Sequence, residues 1–294
     1  MNRTKSIFVA ASILLALAFT TSCSGDGGGG NEETPSSSSV GGAPTPSSSG
    51  GGISSGGGTS SGGGNSSSGG SSSSDGTSSI PKCGAATYDP ETQLCDSRGD
   101  KLYKIKKISI QTWMAENLNH NADGSACYED DPSNCAIYGR LYDWATAMGF
   151  EPECNEEECA DQIDTPHHKG VCPSGWHIPS NAEWNLLYKL ADSECYHEDI
   201  WGECPTAGAK LKAGSGWEDD GNGTDNFGFS ALPGGYGYDS SFNDAGYYGS
   251  WWSSSESEDY SDYAYRRFMY NDEDFAYWND YDKPTLFSVR CVKD

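Results

Sequence analysis

The chain is short of positive charge: 18 Lys and Arg stand against 43 Asp and Glu, for a formal net charge of −25 at pH 7. Nucleic acids and anionic lipid surfaces are held through Lys and Arg that neutralise phosphates, so this balance excludes nucleic acid as a partner. Long apolar runs are missing as well. The one candidate, Ile7 to Phe19, is too short to span a bilayer as a mature helix. Zinc-knuckle spacing is also absent, because none of the eleven cysteines stand in a CxxC pair.

What the N-terminus holds instead is a targeting pattern. Arg3 and Lys5 precede the apolar run, and Thr20-Thr21-Ser22 leads small residues into Cys23. This resembles a bacterial lipoprotein signal, with residues 1–22 removed and Cys23 lipidated, although Thr20 stands where an aliphatic residue is usual. Losing Arg3 and Lys5 takes the mature charge from −25 to −27. The implied location is exported and lipid-anchored, at the outer membrane or cell surface, with the lipid as the sole membrane contact. Ordinary secretion, with Cys23 a stray thiol, is the alternative. Cysteine parity favours lipidation, since eleven cysteines less one leave an even ten suited to bridges in an oxidising compartment.

Residues 23–79 are almost wholly Gly and Ser and have no apolar periodicity, which predicts a disordered linker. As a flexible coil it would hold a domain about 40 Å from the membrane on average. Residues 80–294 differ, with many aromatics and scattered glycines, and are long enough for a single domain with its own core. Lys101 to Ile108 and Gln111 to Met114 read as a hairpin. Arg140 to Met148 reads as a helix ending at Gly149. Ser180-Asn-Ala-Glu183 is a capping box opening a second helix, whose apolar face is read from Trp184, Leu187, Leu190 and Ala191. Phe227 to Leu232, Gly249 to Ser254, Tyr263 to Tyr270, Asp274 to Trp278 and Leu286 to Val292 read as strands. Helices first and strands later predict an α+β fold with an antiparallel sheet.

Six segments carry a family resemblance: Gln111-Thr-Trp-Met-Ala-Glu-Asn-Leu118, Tyr138-Gly-Arg-Leu-Tyr-Asp-Trp144, Cys172-Pro-Ser-Gly-Trp-His-Ile-Pro-Ser180, Gly228-Phe-Ser-Ala-Leu-Pro-Gly-Gly235, Trp251-Trp-Ser-Ser254 and Phe287-Ser-Val-Arg-Cys-Val292. In this order they resemble the Fibrobacter succinogenes major paralogous domain (FISUMP) family of exported bacterial domains. The resemblance implies a C-type-lectin-like fold, distantly related to formylglycine-generating enzymes, with two helices and an antiparallel sheet. It assigns no activity. The segments from Glu151 to Asp164 and Ser193 to Pro205 look like insertions, and Ser109-Ile110 replaces a turn where members often carry glycine.

Candidate sites follow from residue type and spacing. The cysteines pair locally as Cys83–Cys95, Cys127–Cys135, Cys154–Cys159 and Cys195–Cys204, which leaves Cys172 for Cys291; zinc ligation is the alternative. That parity leaves no thiol for Cys/His catalysis. Among the histidines, His167 and His168 read as a solvated loop and His177 as a packed, hydrogen-bonded residue. In Asp219-Asp-Gly-Asn-Gly-Thr-Asp-Asn226, the oxygens of Asp220, Asn222 and Asp225 are candidate calcium ligands, although the EF-hand offsets are not met; the alternative is a polar turn capping its own backbone. Tyr260, Tyr263, Tyr277, Trp278 and Tyr281 lie outside the shared motifs amid Asp and Asn, and are the candidate carbohydrate-binding aromatics. The expectation is a non-catalytic surface binding or adhesion module, with plant polysaccharide as the candidate ligand. A structural or partner-binding envelope protein is the alternative, and a cysteine-dependent modifying enzyme the third reading.

Overall fold

A computed structural model describes residues 81–197 and 201–294. The expected signal segment 1–22, the expected lipidation at Cys23 and the expected linker to residue 79 lie outside the described residues. The hairpin of Lys101–Ile108 and Gln111–Met114 forms as read. Its turn needs a left-handed residue, and Ser109 supplies it at φ 56° without a glycine.

Four α-helices follow in chain order among the described residues: α1 Pro132–Tyr138, α2 Trp144–Met148, α3 Asn181–Ala191 and α4 Ala207–Leu211. Helix α2 is shorter than the Arg140–Met148 reading because Asp143 caps it, accepting from the Thr146 amide at 2.8 Å. Leu141–Tyr142 is instead a strand paired with Phe287–Ser288. Helix α3 opens with the expected capping box between Ser180 and Glu183. Its buried stripe is Trp184, Leu187, Tyr188 and Ala191, while Leu190 is exposed, so Tyr188 takes the core position read for Leu190.

Two sheets dominate. The larger has nine strands and runs Ser241–Ala245, Gly234–Tyr238, Tyr248–Glu256, Tyr263–Tyr270, Ala276–Asp282, Trp201–Cys204 and Tyr196–His197, with Phe287–Ser288 joined to its Tyr248–Glu256 strand and Leu141–Tyr142 joined in turn to Phe287–Ser288. It is antiparallel except where Gly235 meets Gly249 and Trp251 meets Ser288. The smaller, five-stranded sheet orders Gln93–Asp96, Lys101–Ile108, Gln111–Met114, Val292–Lys293 and Trp176–His177. The expected strand at Phe227–Leu232 does not form beyond a single bridge from Ala231 to Lys212. The Asp274–Trp278 strand shifts to Ala276–Asp282, and the Leu286–Val292 strand divides between the two sheets.

The central Tyr263–Tyr270 strand is buried on both faces, and strand alternation divides the core. Ala264 and Phe268 point into one hydrophobic cluster with Trp144, Trp252 and Phe287. Tyr265 and Met269 point into another with Trp113, Trp184, Phe229 and Trp251, against helix α3. A buried polar hub ties the shared motifs together. The Asn117 side-chain oxygen accepts from Trp251 Nε1 at 2.9 Å and Arg290 Nε at 2.8 Å, and its amide donates to the Tyr138 carbonyl at 2.8 Å. Arg290 then donates to the Phe229 and Ser230 carbonyls. Those bonds hold the Phe229–Ser230 backbone away from a strand ladder, with Ser230 at φ 52°. Full burial lowers the pKa of the Arg290 guanidinium to about 9 and that of Arg267, in the Tyr263–Tyr270 strand, to about 10.

The ten described cysteines form Cys83–Cys95, Cys127–Cys135, Cys154–Cys159, Cys172–Cys291 and Cys195–Cys204, the same five pairs as expected. The architecture is a disulfide-stapled α+β domain in which sheet predominates. No helix among the described residues is long and apolar enough to cross a membrane.

Candidate functional site

A cleft of about 780 Å³ lies between the Glu158–Pro166 loop and the Ser254–Ser261 segment. One wall begins where the Tyr248–Glu256 strand slips register against its neighbour between Trp252 and Glu256. Such an irregularity re-aims side chains at the end of a strand. It delivers Ser254, Ser255, Glu256 and Ser257 to the cleft, continuing into exposed Glu258, Asp259 and Tyr260.

This wall is fixed from behind. The Ser254 amide donates to the Pro179 carbonyl at 3.0 Å, and the Ser255 hydroxyl accepts from the Asn181 amide at 3.0 Å, joining the wall to the start of helix α3. Ser257 donates to Asp280 at 2.7 Å. Glu256 is buried, forms an ion pair with the fully buried Lys283, and accepts from the Cys159 amide at 3.0 Å. Lys283 also donates to the Glu157 carbonyl at 2.9 Å, so one buried pair clamps both walls.

The opposite wall carries its own fixings. Cys154–Cys159 closes its first turn. Asn155 donates to Asp143 at 3.0 Å and accepts from the Ala145 amide at 2.9 Å, binding the loop to the cap of helix α2. His168 is buried, with Nε2 2.7 Å from the Met148 carbonyl and Nδ1 accepting from the Asp164 amide at 3.1 Å. The solvated reading therefore holds for exposed His167 and fails for His168, which anchors the loop. His177 is packed as read, with its two ring nitrogens 2.8 Å from Asp294 and Glu183. Burial opposes its protonation, yet those two carboxylates raise its pKa above the ordinary histidine value.

The chemistry of the lining is one-sided. Glu158, Asp164, Glu258 and Asp259 are exposed carboxylates, and no Lys or Arg lines the cleft. Hydroxyl-bearing or cationic ligands are matched by such acceptors and anionic ones repelled. Tyr260, 55% exposed, stands at the rim with its ring centroid 5.4 Å from that of Tyr263. Burial and the Asp282 carboxylate push the Tyr263 hydroxyl up to about 12.

The five candidate aromatics do not share one face. Tyr260 and Tyr263 belong to the cleft rim and its immediate neighbourhood. Trp278 is 4% exposed and points into the helix α3 core, so the expectation that it presents a binding surface is corrected. An added Cβ at Gly202 would come within 1.9 Å of its ring, which leaves glycine as the residue that fits beside it. Tyr277 and Tyr281 project from the other side of the same strand. Tyr277 stacks between Phe268 at 5.2 Å and Phe275 at 5.6 Å, while the Arg266 guanidinium lies 3.8 Å from the Tyr281 ring. A short pocket of about 120 Å³ around Arg266 includes Tyr281 but none of the other four.

The calcium reading of the Asp219–Asn226 loop gains no support. Asn222 accepts from the Trp217 amide at 3.0 Å, and Asp225 accepts from the Ser230 amide at 2.8 Å and the Ser230 hydroxyl at 2.6 Å. Two of the three oxygen donors thus cap the local chain, as in the polar-turn alternative, and Asp220 faces solvent. Gly221 and Gly223 serve close packing, since a Cβ on either would lie 2.5 Å or less from a carbonyl oxygen of Asn271 or Lys212.

The cleft residues other than Tyr260 were missed from sequence, although the Ser253-Ser254-Ser255 run beside Trp251-Trp252 was a usable signal. Fold and cleft together define a disulfide-stapled α+β domain with a preorganised, acceptor-rich groove. Residues 106–293 match the Fibrobacter succinogenes major domain family, and the chain belongs to that family. No curated protein and no solved structure matches the chain.

Proposed function

We propose that this is a non-catalytic binding module, displayed at the cell surface through lipidated Cys23 and the 23–79 tether, whose cleft takes a neutral plant polysaccharide. The observation that carries the reading is the cleft itself: fixed walls, serine hydroxyls and free carboxylates as hydrogen-bond partners, and an exposed tyrosine at the rim. Sugar rings combine an apolar face with a belt of hydroxyls, and this lining offers a partner for each. The same reading includes the C-type-lectin-like relationship implied by the six motifs. The structural-scaffold alternative predicts no glycan affinity. Retention of the full chain on insoluble cellulose and xylan, compared with polygalacturonate, tests the proposal. Neutral-glycan retention that falls in Tyr260→Ala supports it; no retention, or equal retention of both forms, rejects it.

A further inference from the structure

Beside the cleft, the fold brings together metal donors from the loop at His167, the strand at His177 and, far along the chain, Asp294. Val292 pairs with His177 across the small sheet, which brings Asp294 against the His177 ring. Pro166 and Ser180 line the end of the cleft, and the residue after Pro166, His167, stacks on His177 at 4.3 Å with an interplanar angle of 18°. One donor atom from each of His167, His177 and Asp294 lies within 4.8 Å of the others.

We propose that His167, His177 and Asp294 form a binding site for a divalent transition-metal ion of the zinc type. Two imidazoles and one carboxylate suit Zn²⁺, and three protein ligands leave a further position open. The outer partner of His177 prepares this ring for a metal. This imidazole is 1% exposed, and its Nε2 is held at 2.8 Å by Glu183, leaving Nδ1 directed towards Asp294. A carboxylate on the far nitrogen is the arrangement that orients a metal-binding histidine and raises its basicity. Glu183 is itself held by the capping box, its Oε2 accepting from the Ser180 amide at 2.9 Å and hydroxyl at 2.8 Å.

The other two ligands are adjustable. His167 is exposed and the Asp294 side chain is 47% exposed. Tetrahedral bonds of 2.0–2.1 Å place donors roughly 3.4 Å apart, within reach of rotations about those two side chains. The ion would displace the proton on His177 Nδ1 to solvent. The formal charge of −25 adds a favourable field for any cation. This proposal does not rest on the glycan reading.

The test is calorimetric titration of the untagged full chain with Zn²⁺, paralleled by Co²⁺ monitored by visible absorption. One Zn²⁺ per chain is expected, with a ligand-field band on adding Co²⁺. Affinity should fall at least tenfold in both His167→Ala and Asp294→Asn, exposed positions at which circular dichroism and melting without metal check that the fold is intact. No binding by the wild type, or a loss below tenfold in either folded variant, would overturn the proposal.

Discussion

The Arg290 guanidinium donates to the Asn117 side-chain oxygen at 2.8 Å, across 173 positions of sequence and with both residues buried. Trp251 donates to the same oxygen, and the Asn117 amide reaches the Tyr138 carbonyl and the Ser288 hydroxyl. Four of the six shared segments, and through Arg290 the Phe229–Ser230 turn of a fifth, therefore meet around a single amide side chain.

Removing that amide leaves two buried donors unpaired. Each unsatisfied group costs about 1–3 kcal/mol, so Asn117→Ala should lose about 3 kcal/mol or more of unfolding free energy. Denaturant titration of the full chain measures it. A loss below 1 kcal/mol would mean that the hub relaxes or takes up water.

Trp278 and Tyr260 should separate stability from binding. Trp278→Ala removes a buried ring and should destabilise by about 3–5 kcal/mol. Tyr260→Ala should leave the melting temperature within about 2 °C, because exposed substitutions usually change stability by under 0.5 kcal/mol, while reducing glycan retention. A melting curve and a retention assay on each variant suffice.

The bridges should rank by the loop each closes. Cys172–Cys291 spans 119 residues and Cys154–Cys159 spans 5. Chain entropy alone assigns about 5 kcal/mol to the first and about 2 kcal/mol to the second. Double alanine variants should follow that order in thermal stability, while loss of Cys154–Cys159 should weaken ligand retention more than its stability cost suggests.

Acid should remove one identifiable contribution. Burial works against ionised Asp96, but the side-chain and backbone bonds from Arg98 outweigh it and hold its pKa below the ordinary 3.8. Arg98 also reaches the Val171 carbonyl at 2.8 Å, so the pair ties the Gln93–Asp96 strand to the Cys172 region. A depressed folded-state pKa means that the unfolded chain binds the proton first. The contribution is therefore complete above pH 4 and is lost as pH falls through the lower folded value. Asp96→Asn should be less stable at pH 7 and show a shallower decline below pH 4, read from unfolding free energies across that range.

Local chemistry was legible from the chain, and its spatial consequences were not. The Ser180–Glu183 cap declared helix α3 because both halves of the motif lie within one turn. The hairpin and the short-range cysteine pairs were legible for the same reason. Helix α2 was overextended because Arg140 and Leu141 are good helix formers, whereas Leu141 and Tyr142 find a partner strand at Phe287–Ser288. The strand at Asp274 was misplaced because Asn279, Asp280 and Asp282 look like turn residues, although they occupy positions paired with Arg266, Tyr265 and Tyr263. Trp278 was grouped with Tyr277 and Tyr281 by proximity in sequence, whereas a strand sends neighbours to opposite faces. The cleft needed Glu158 and Glu258 on facing walls, a relationship that no local pattern encodes.

The Cys154–Cys159 bridge begins and ends within one wall of the cleft, and none of the side chains around Asn117 belongs to that wall. The segment is a cassette that brings its own staple. A segment grafted in its place would keep the domain intact only if it still met the Glu256–Lys283 pair and the Asp143 cap, so those buried groups are the sockets into which any new groove wall must plug.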